Sequence, residues 1–166
     1  MDGRNREVLH YNMLYWPNAL TLDIATERLY WADAKYHVLQ SSNADGSDRR
    51  TILSGGVNHP FSLTLFESTI YWTDWRTRSI QAVHKGIQVK ARQLMATTDM
   101  PMGIKAVHPV VQPMGENKCG SDNGGCSGMC LLSSASVQGY SCVCPAGSRL
   151  AKDGKGCEGE RQWYVV

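Results

Sequence analysis

The chain has 166 residues, of which 17 are Lys or Arg and 15 are Asp or Glu, and its formal net charge is +2. No basic run could follow a phosphate backbone, which argues against nucleic acid as a partner. A transmembrane helix needs about 20 consecutive apolar residues, and the longest apolar runs here are only a few residues long, so we expect no membrane span in this chain.

An internal repeat organises the first 114 residues. The tetrads Tyr30-Trp31-Ala32-Asp33 and Tyr71-Trp72-Thr73-Asp74 lie 41 positions apart, and Pro17 and Pro60 precede them at matching positions. A third copy begins at residues 100–104. The repeat period is therefore about 42 residues, which is the size of one structural unit in a repeat architecture.

Each repeat unit predicts short strands. In the first unit, alternating apolar and polar residues indicate strands at 19–23, 28–33, 36–42 and 50–53. Asp45-Gly46 predicts a hairpin turn, because tight primed turns need a positive φ, which glycine tolerates. Four short strands in about 42 residues are typical of one blade of a β-propeller.

The strand count predicts an all-β, partial propeller. Two complete blades fit at residues 17–53 and 60–94. Residues 2–10 are predicted to form the outer strand of a preceding blade, and residues 103–108 the inner strand of a following one. Such a fragment would leave sheet faces and edges uncovered, and uncovered edges promote aggregation.

The second part of the chain is rich in cysteine. All 6 cysteines lie between Cys119 and Cys157, a density typical of a small disulfide-bonded module from an oxidising compartment. Six cysteines permit fifteen pairings. The spacings lack the paired form of a zinc site and the segment has no histidine, so we expect no metal and no cofactor.

We therefore expect three parts: residues 1–114, a module at 115–158, and the start of a following segment at 159–166. Residues 1–10 contain no apolar stretch that could act as a secretory signal. Because the cysteines require an oxidising compartment, this predicts an internal piece of a longer secreted or membrane-anchored protein.

The repeat resembles the six-bladed YWTD propellers of the low-density lipoprotein receptor and its related receptors. The two tetrads and the flanking segments WPNALTLD and HPFSLTLF carry the resemblance, which covers roughly residues 2–157. It implies structural roles for the tetrads: the aromatic rings pack between blades and the carboxylates bond backbone groups. The residues concerned are Tyr30, Trp31, Asp33, Tyr71, Trp72 and Asp74.

The cysteine-rich part resembles an epidermal growth factor-like module in its NGGC sequence, in Tyr140 and in the single residue between Cys142 and Cys144. The resemblance implies the disulfides Cys119–Cys130, Cys126–Cys142 and Cys144–Cys157. Lys118 and Leu132 depart from the calcium-binding form of such modules, so we expect no bound calcium and a structural role for the NGGC turn. The tail 163–166 is similar to the first strand of another propeller.

The family resemblance also implies candidate binding residues. His37 and His59 match propeller histidines that help release ligand in acid, and the ordinary pKa of histidine, about 6.5, suits this role. His59 could equally do no more than position the strand before Pro60. Asn18 matches a ligand-binding position, although asparagine is also a common turn residue. Two neighbouring candidates, Trp75 and Arg76, combine the residue types typical of interface anchors.

These patterns predict a binding protein with no enzymatic activity, since no nucleophile elbow and no phosphate-binding loop occur in the sequence. The resemblance implies the extracellular side of a single-pass membrane receptor, at the plasma membrane and in endosomes, taking part in endocytosis with acid-dependent ligand release. A Wnt co-receptor and a nidogen-like matrix protein are the alternatives. The expected partners are lipoprotein, Wnt-pathway or matrix proteins and other modules of the same receptor.

Overall fold

The structure, a computed structural model, describes residues 2–4, 6–86 and 90–159. Their contacts form two compact units: residues 8–113 make the first, and residues 2–7 together with 114–159 make the second. The strand predicted at residues 163–166 lies outside the described residues. No helix in the part of the chain that the structure describes is long and apolar enough to cross a membrane.

The first blade is a four-stranded antiparallel meander. Its strands are β1 (Pro17–Asp23), β2 (Arg28–Asp33), β3 (Val38–Asn43) and β4 (Arg50–Ser54), hydrogen-bonded in that order. This confirms the four predicted strands. The third begins at Val38 instead of 36 because His37 still belongs to the turn and has a φ of +57°. Gly46, with a φ of +85°, lies in the connection between β3 and β4, where the hairpin was predicted.

The second blade repeats the first. Its strands are β5 (Pro60–Phe66), β6 (Thr69–Asp74), β7 (Ser79–His84) and β8 (Arg92–Ala96). Pro17 pairs with Asp33 and Pro60 with Asp74, and a register shift follows each proline. Proline has no N–H to give to a ladder, so a bulge beside it is expected. The two blades therefore begin in the same way.

The hydrophobic core of this unit lies between the two blades. The first sheet contributes Tyr30 and Leu39, and the second contributes Leu63 and Trp72. All are at most 3% exposed, and Leu39 and Trp72 are fully buried. Trp31 lies outside this cluster: its ring lies 5.1 Å from that of His10, and the Arg49 guanidinium lies 5.3 Å from it.

Two predicted strands are wrong for the described residues. Residues 2–4 and 6–10 form no strand, and neither do residues 103–108. A strand requires a backbone ladder, and residues 102–106 are held beside β5 mainly by side chains. The Ile104 N–H donates to Ser62 Oγ at 3.2 Å, and the Ala106 N–H donates to Thr64 Oγ1 at 3.0 Å.

The cysteine-rich unit has little regular structure. It contains a hairpin of β9 (Met129–Leu132) and β10 (Tyr140–Val143), a smaller one of β11 (Arg149–Leu150) and β12 (Cys157–Glu158), and a 3₁₀ turn at Asn123–Gly125. Disulfides join Cys119 to Cys130, Cys126 to Cys142 and Cys144 to Cys157. This is the pairing that the resemblance to a growth factor-like module implies.

Candidate ligand-binding surface

The buried carboxylate of Asp33, at the end of β2, holds two loops together. Its Oδ2 accepts hydrogen bonds from the N–H groups of Tyr15 at 2.7 Å and Trp16 at 3.1 Å. Its Oδ1 accepts from those of Lys35 at 2.8 Å and Tyr36 at 3.0 Å. The segment before β1 and the turn after β2 are therefore fixed at one end of the sheet.

Asp74 makes the same four bonds in the second blade. Its Oδ2 accepts from the N–H groups of Asn58 at 2.8 Å and His59 at 3.0 Å, and its Oδ1 accepts from Arg76 at 3.0 Å and Thr77 at 3.1 Å. Both carboxylates are 0% exposed. The two blades thus present equivalent loops at the same end. We call residues 15–18, 34–37, 57–61 and 75–78 the loop surface.

Trp75 is held rigidly within the loop surface. Its ring stacks against Phe61, with centroids 4.5 Å apart, and against His59, with centroids 5.5 Å apart and only 2° between the planes. Its Nε1–H donates to the Pro101 carbonyl at 3.0 Å. Arg76, the next residue, is exposed. The structure therefore brings the candidates Trp75 and His59 into contact, and the candidate Arg76 follows Trp75 in the chain.

Asn18 connects the two blades. Its side-chain Nδ2 donates to the Pro60 carbonyl at 3.1 Å, which links the start of β1 to the start of β5. The residue itself is exposed. Its amide nitrogen therefore has a structural task, and the prediction that Asn18 also binds a ligand stays a prediction.

His37 also crosses from the first blade to the second. Its Nδ1 lies 3.1 Å from the Val57 carbonyl oxygen and 3.0 Å from that of Asn58. Both partners are acceptors, so Nδ1 carries the hydrogen in these contacts. His37 thus bonds the segment that directly precedes His59, the second histidine predicted for the pH switch.

The sequence interpretation missed a cluster of aromatic and cationic residues on the first blade. Tyr15 is 62% and Trp16 is 47% exposed, and their rings meet edge to face at 5.9 Å. The Lys35 ammonium lies 5.8 Å from the Tyr15 ring and 5.5 Å from the Trp16 ring. The repeat carried the signal, since Trp16 matches His59 and Lys35 matches Arg76 in the alignment of the two blades.

A third histidine, His10, lies away from the loop surface and packs against the first tetrad. Its Nε2 lies 3.0 Å from Ser42 Oγ, and its ring contacts Trp31. Burial lowers the pKa of His10 below its ordinary value, and the nearby Arg49 charge adds to this effect. Among the residues that the structure describes, no group of three or more His, Cys, Asp or Glu could hold a metal ion.

Comparisons with known proteins agree with the repeat. The family model for the low-density lipoprotein receptor repeat class B matches residues 27–67, and the model for the coagulation factor Xa inhibitory site matches residues 119–157. A crystal structure of a nidogen/laminin complex contains a similar fold, with a TM-score of 0.52 and 32% identity, covering 63% of this chain and 40% of that one.

Two curated relatives are receptors by name. The vitellogenin receptor Yl of Drosophila melanogaster is 40% identical over 158 residues, which is 95% of this chain but 8% of the relative. Low-density lipoprotein receptor-related protein 4 of Homo sapiens is 45% identical over 117 residues, which is 70% of this chain and 6% of the relative. The chain thus spans less than a tenth of either relative.

The repeated sheets, the buried tetrad aspartates and these matches define an extracellular YWTD-repeat region, built as a partial β-propeller with a disulfide-bonded unit after it. The chain belongs to the low-density lipoprotein receptor-related family.

Proposed function

We propose that the loop surface binds an extracellular protein ligand of an endocytic receptor, without catalysis. The observation that carries this proposal is a group of aromatic and cationic residues in each of two adjacent blades. In the first blade the Lys35 ammonium lies over the Trp16 ring, and in the second the Trp75 ring stacks on His59 and is followed in the chain by the exposed Arg76. Aromatic and arginine side chains are enriched among the residues that dominate binding energy. The buried Asp33 and Asp74 preorganise these loops, which lowers the entropy cost of binding.

The chemistry of the surface favours an acidic protein segment with apolar side chains. Lys35 and Arg76 supply positive charge, and the rings supply apolar contact area. Because the Drosophila relative is a vitellogenin receptor by name, purified insect vitellogenin is the first probe. Endocytosis of such a ligand by a plasma-membrane receptor follows as part of the same proposal.

Binding of vitellogenin to the immobilised chain, measured by surface plasmon resonance, tests the proposal. Trp16→Ala and Arg76→Ala should each weaken binding by about tenfold, while Arg92→Ala, an exposed change on β8, should leave it unchanged. Equal affinity of all four proteins would show that the ligand binds elsewhere. The Trp16 side chain is half exposed, so its loss should not unfold the blade.

We further propose that acid releases the ligand through His37 and His59. Protonation would add positive charge to the loop surface, and this charge would strengthen an internal contact with acidic modules elsewhere in the same receptor, which displaces the ligand. In support, His37 bonds the segment that leads directly into His59. The test is vitellogenin affinity at neutral pH and at about pH 5.5 for a full ectodomain carrying His37→Ala and His59→Ala. Unchanged acid release would refute the switch.

A matrix-protein function is the second candidate, favoured by the likeness to a chain in the nidogen/laminin complex. Laminin is therefore the second probe in the same binding assay. Selective binding of laminin, with no binding of vitellogenin, would replace the receptor proposal with the matrix one. A Wnt co-receptor, the third possibility, predicts binding of Wnt-pathway proteins to the same loop surface.

A further inference from the structure

Residues 2–4 lie in the same compact unit as the cysteine-rich residues. The Asp2 side chain is only 7% exposed there, although it belongs to an otherwise polar segment. Its Oδ2 accepts a hydrogen bond from Ser141 Oγ at 3.1 Å, and Arg4 Nε lies 3.5 Å from the same oxygen. A carboxylate taken out of water needs such partners, because an unpaired buried charge is costly.

The geometry of Asp2 repeats a turn found in the first blade. Residues 2–6 align with residues 45–49, and each copy begins Asp-Gly. The Arg4 N–H donates to Asp2 Oδ1 at 3.2 Å, as the Ser47 N–H donates to Asp45 Oδ1 at 2.9 Å. The glycines have φ values of +75° and +85°. Both copies therefore form the same Asp-Gly turn, closed by its own aspartate.

The two copies differ in where the aspartate finds a hydroxyl. Ser47 Oγ donates to Asp45 Oδ1 at 2.6 Å, within the turn itself. Arg4 occupies the matching position in the first copy and has no hydroxyl. Ser141 of β10 supplies it instead. The cysteine-rich unit thus provides the hydroxyl that the turn of Asp2 lacks.

The donor side of this contact is rigid. Ser141 lies in β10 between Tyr140, whose hydroxyl donates to the Gly124 carbonyl at 3.0 Å, and Cys142, which is disulfide-bonded to Cys126. A second hydroxyl, on Ser133 just after β9, is only 3% exposed. Its side chain makes no direct hydrogen bond of good geometry within the described residues. Ser141 is therefore the hydroxyl that donates directly to Asp2, and Ser133 is its neighbour.

Ser133 nevertheless affects the same carboxylate. The pKa of Asp2 is lowered to about 2, with the Ser133 hydroxyl as the largest cause; burial acts in the opposite direction, and the Arg4 N–H and Ser141 add to the lowering. The hydroxyls of both serines thus favour the ionised form of Asp2.

We propose that Ser141 of β10 forms a binding site for the aspartate of an Asp-Gly turn, and that Asp2 occupies this site. The ligand class is a carboxylate on a tight turn whose third residue carries no hydroxyl of its own. Asp45, which bonds its own Ser47, does not qualify. The site holds the segment that precedes the first blade.

Limited trypsin digestion of the full chain tests this site, since trypsin cleaves after Arg4 and Arg6. Asp2→Asn and Ser141→Ala should each raise the initial cleavage rate at these bonds by about three- to tenfold, as expected for loss of a charge-assisted hydrogen bond at a partly exposed site. The Asp2→Asn/Ser141→Ala double variant should be cleaved no faster than the single variants, because both remove one interaction.

Matched variants complete the test. Ser141→Thr keeps the hydroxyl and should be cleaved as slowly as the parent chain. Asp45→Asn changes the same turn in the blade, and Ser134→Ala changes an exposed serine nearby; neither should alter cleavage after Arg4 or Arg6. If Ser141→Ala disturbs the disulfides, Asp2→Asn still tests the contact between Asp2 and Ser141, because it changes no residue of the cysteine-rich part. Parent-like cleavage of Asp2→Asn, or additive effects in the double variant, would overturn the proposal.

Discussion

The Lys85 ammonium donates a hydrogen bond to Asp23 Oδ2 at 2.7 Å and so joins the end of β7 in the second blade to β1 in the first. The side chains are 24% and 6% exposed. Burial by itself would raise the pKa of Asp23, but the hydrogen bonds from Lys85 and Thr26 outweigh it and the pKa is lowered. This ion pair reinforces the contact between the blades beside their apolar core.

Lys85→Met should therefore destabilise the blades, because it leaves the Asp23 carboxylate buried without its cation. We expect a loss of about 1–3 kcal/mol in the free energy of unfolding, measured by urea titration followed by tryptophan fluorescence. Since the folded-state pKa of Asp23 is below its ordinary value of 3.8, this stabilisation is present at neutral pH and disappears only in stronger acid. Lys90→Met, at an exposed position, is the control. Equal stability of the two variants would contradict a role for the pair.

Matching leucines in the two blades predict very different mutational effects. Leu63 on β5 is 2% exposed, whereas its equivalent on β1, Leu20, is 65% exposed. Leu63→Ala should cost about 2–4 kcal/mol, because it opens a cavity in the core between the blades. Leu20→Ala should cost under about 0.5 kcal/mol, as expected for a surface position. Similar losses in urea titrations of the two variants would show that β1 is covered in solution.

The exposed face of β1 also bears on the aggregation predicted from the sequence. Leu20, Leu22 and Ile24 are all 47% or more exposed and alternate along the chain, so they form one apolar strip. Exposed apolar strips promote association, so we expect sedimentation to show more aggregate for the parent chain than for a Leu20→Ser/Leu22→Ser variant.

Replacing either tetrad aspartate by asparagine should destabilise the fold. In Asp74→Asn, one carboxylate oxygen becomes an NH₂ group that faces N–H donors, so two of the four backbone bonds are lost and the donors repel. We expect a loss of about 2–4 kcal/mol, with a similar loss for Asp33→Asn. Asp99→Asn, at an exposed position, should have little effect. A parent-like unfolding curve for Asp74→Asn would mean that the loops are held by other contacts.

His10 should make the first blade less stable in mild acid. Because the folded-state pKa of His10 is lowered by burial and by Arg49, the unfolded chain takes up a proton more readily than the folded chain. Stability therefore falls as the pH drops from about 6.5 towards the folded-state pKa. His10→Gln should reduce this fall in urea titrations at neutral pH and at about pH 5.5. His84→Gln, at an exposed site, is the control; an equal pH dependence of parent and His10→Gln would contradict the prediction.

The strands could be predicted from the sequence because their signal is local. Alternation of side chains along β1 to β4 and the prolines before each tetrad are visible within one repeat. Contacts between residues far apart in the chain are not visible in this way: Lys85 and Asp23 are 62 residues apart, and the contact between Asp2 and Ser141 spans 139. The contact between Trp16 and Lys35 was not predicted either, because the two residues lie in different turns and no local pattern shows which side chains of two turns meet.

Gly128 should be irreplaceable in the cysteine-rich unit. A Cβ atom at this position would overlap the Val143 carbonyl oxygen and lie 3.2 Å from Cys157 Sγ. Neither neighbour can move freely, since Val143 ends β10 and Cys157 is disulfide-bonded to Cys144. Gly128→Ala should therefore raise the fraction of chains with free thiols after oxidative refolding, measured by thiol alkylation and mass spectrometry. Gly154→Ala is the matched control: its φ of +71° makes alanine strained, but no atom lies within 4 Å of the new Cβ. It should cost only about 1 kcal/mol and still form all three disulfides. Complete oxidation of Gly128→Ala, at the parent's rate, would show that β10 can shift to admit a methyl group.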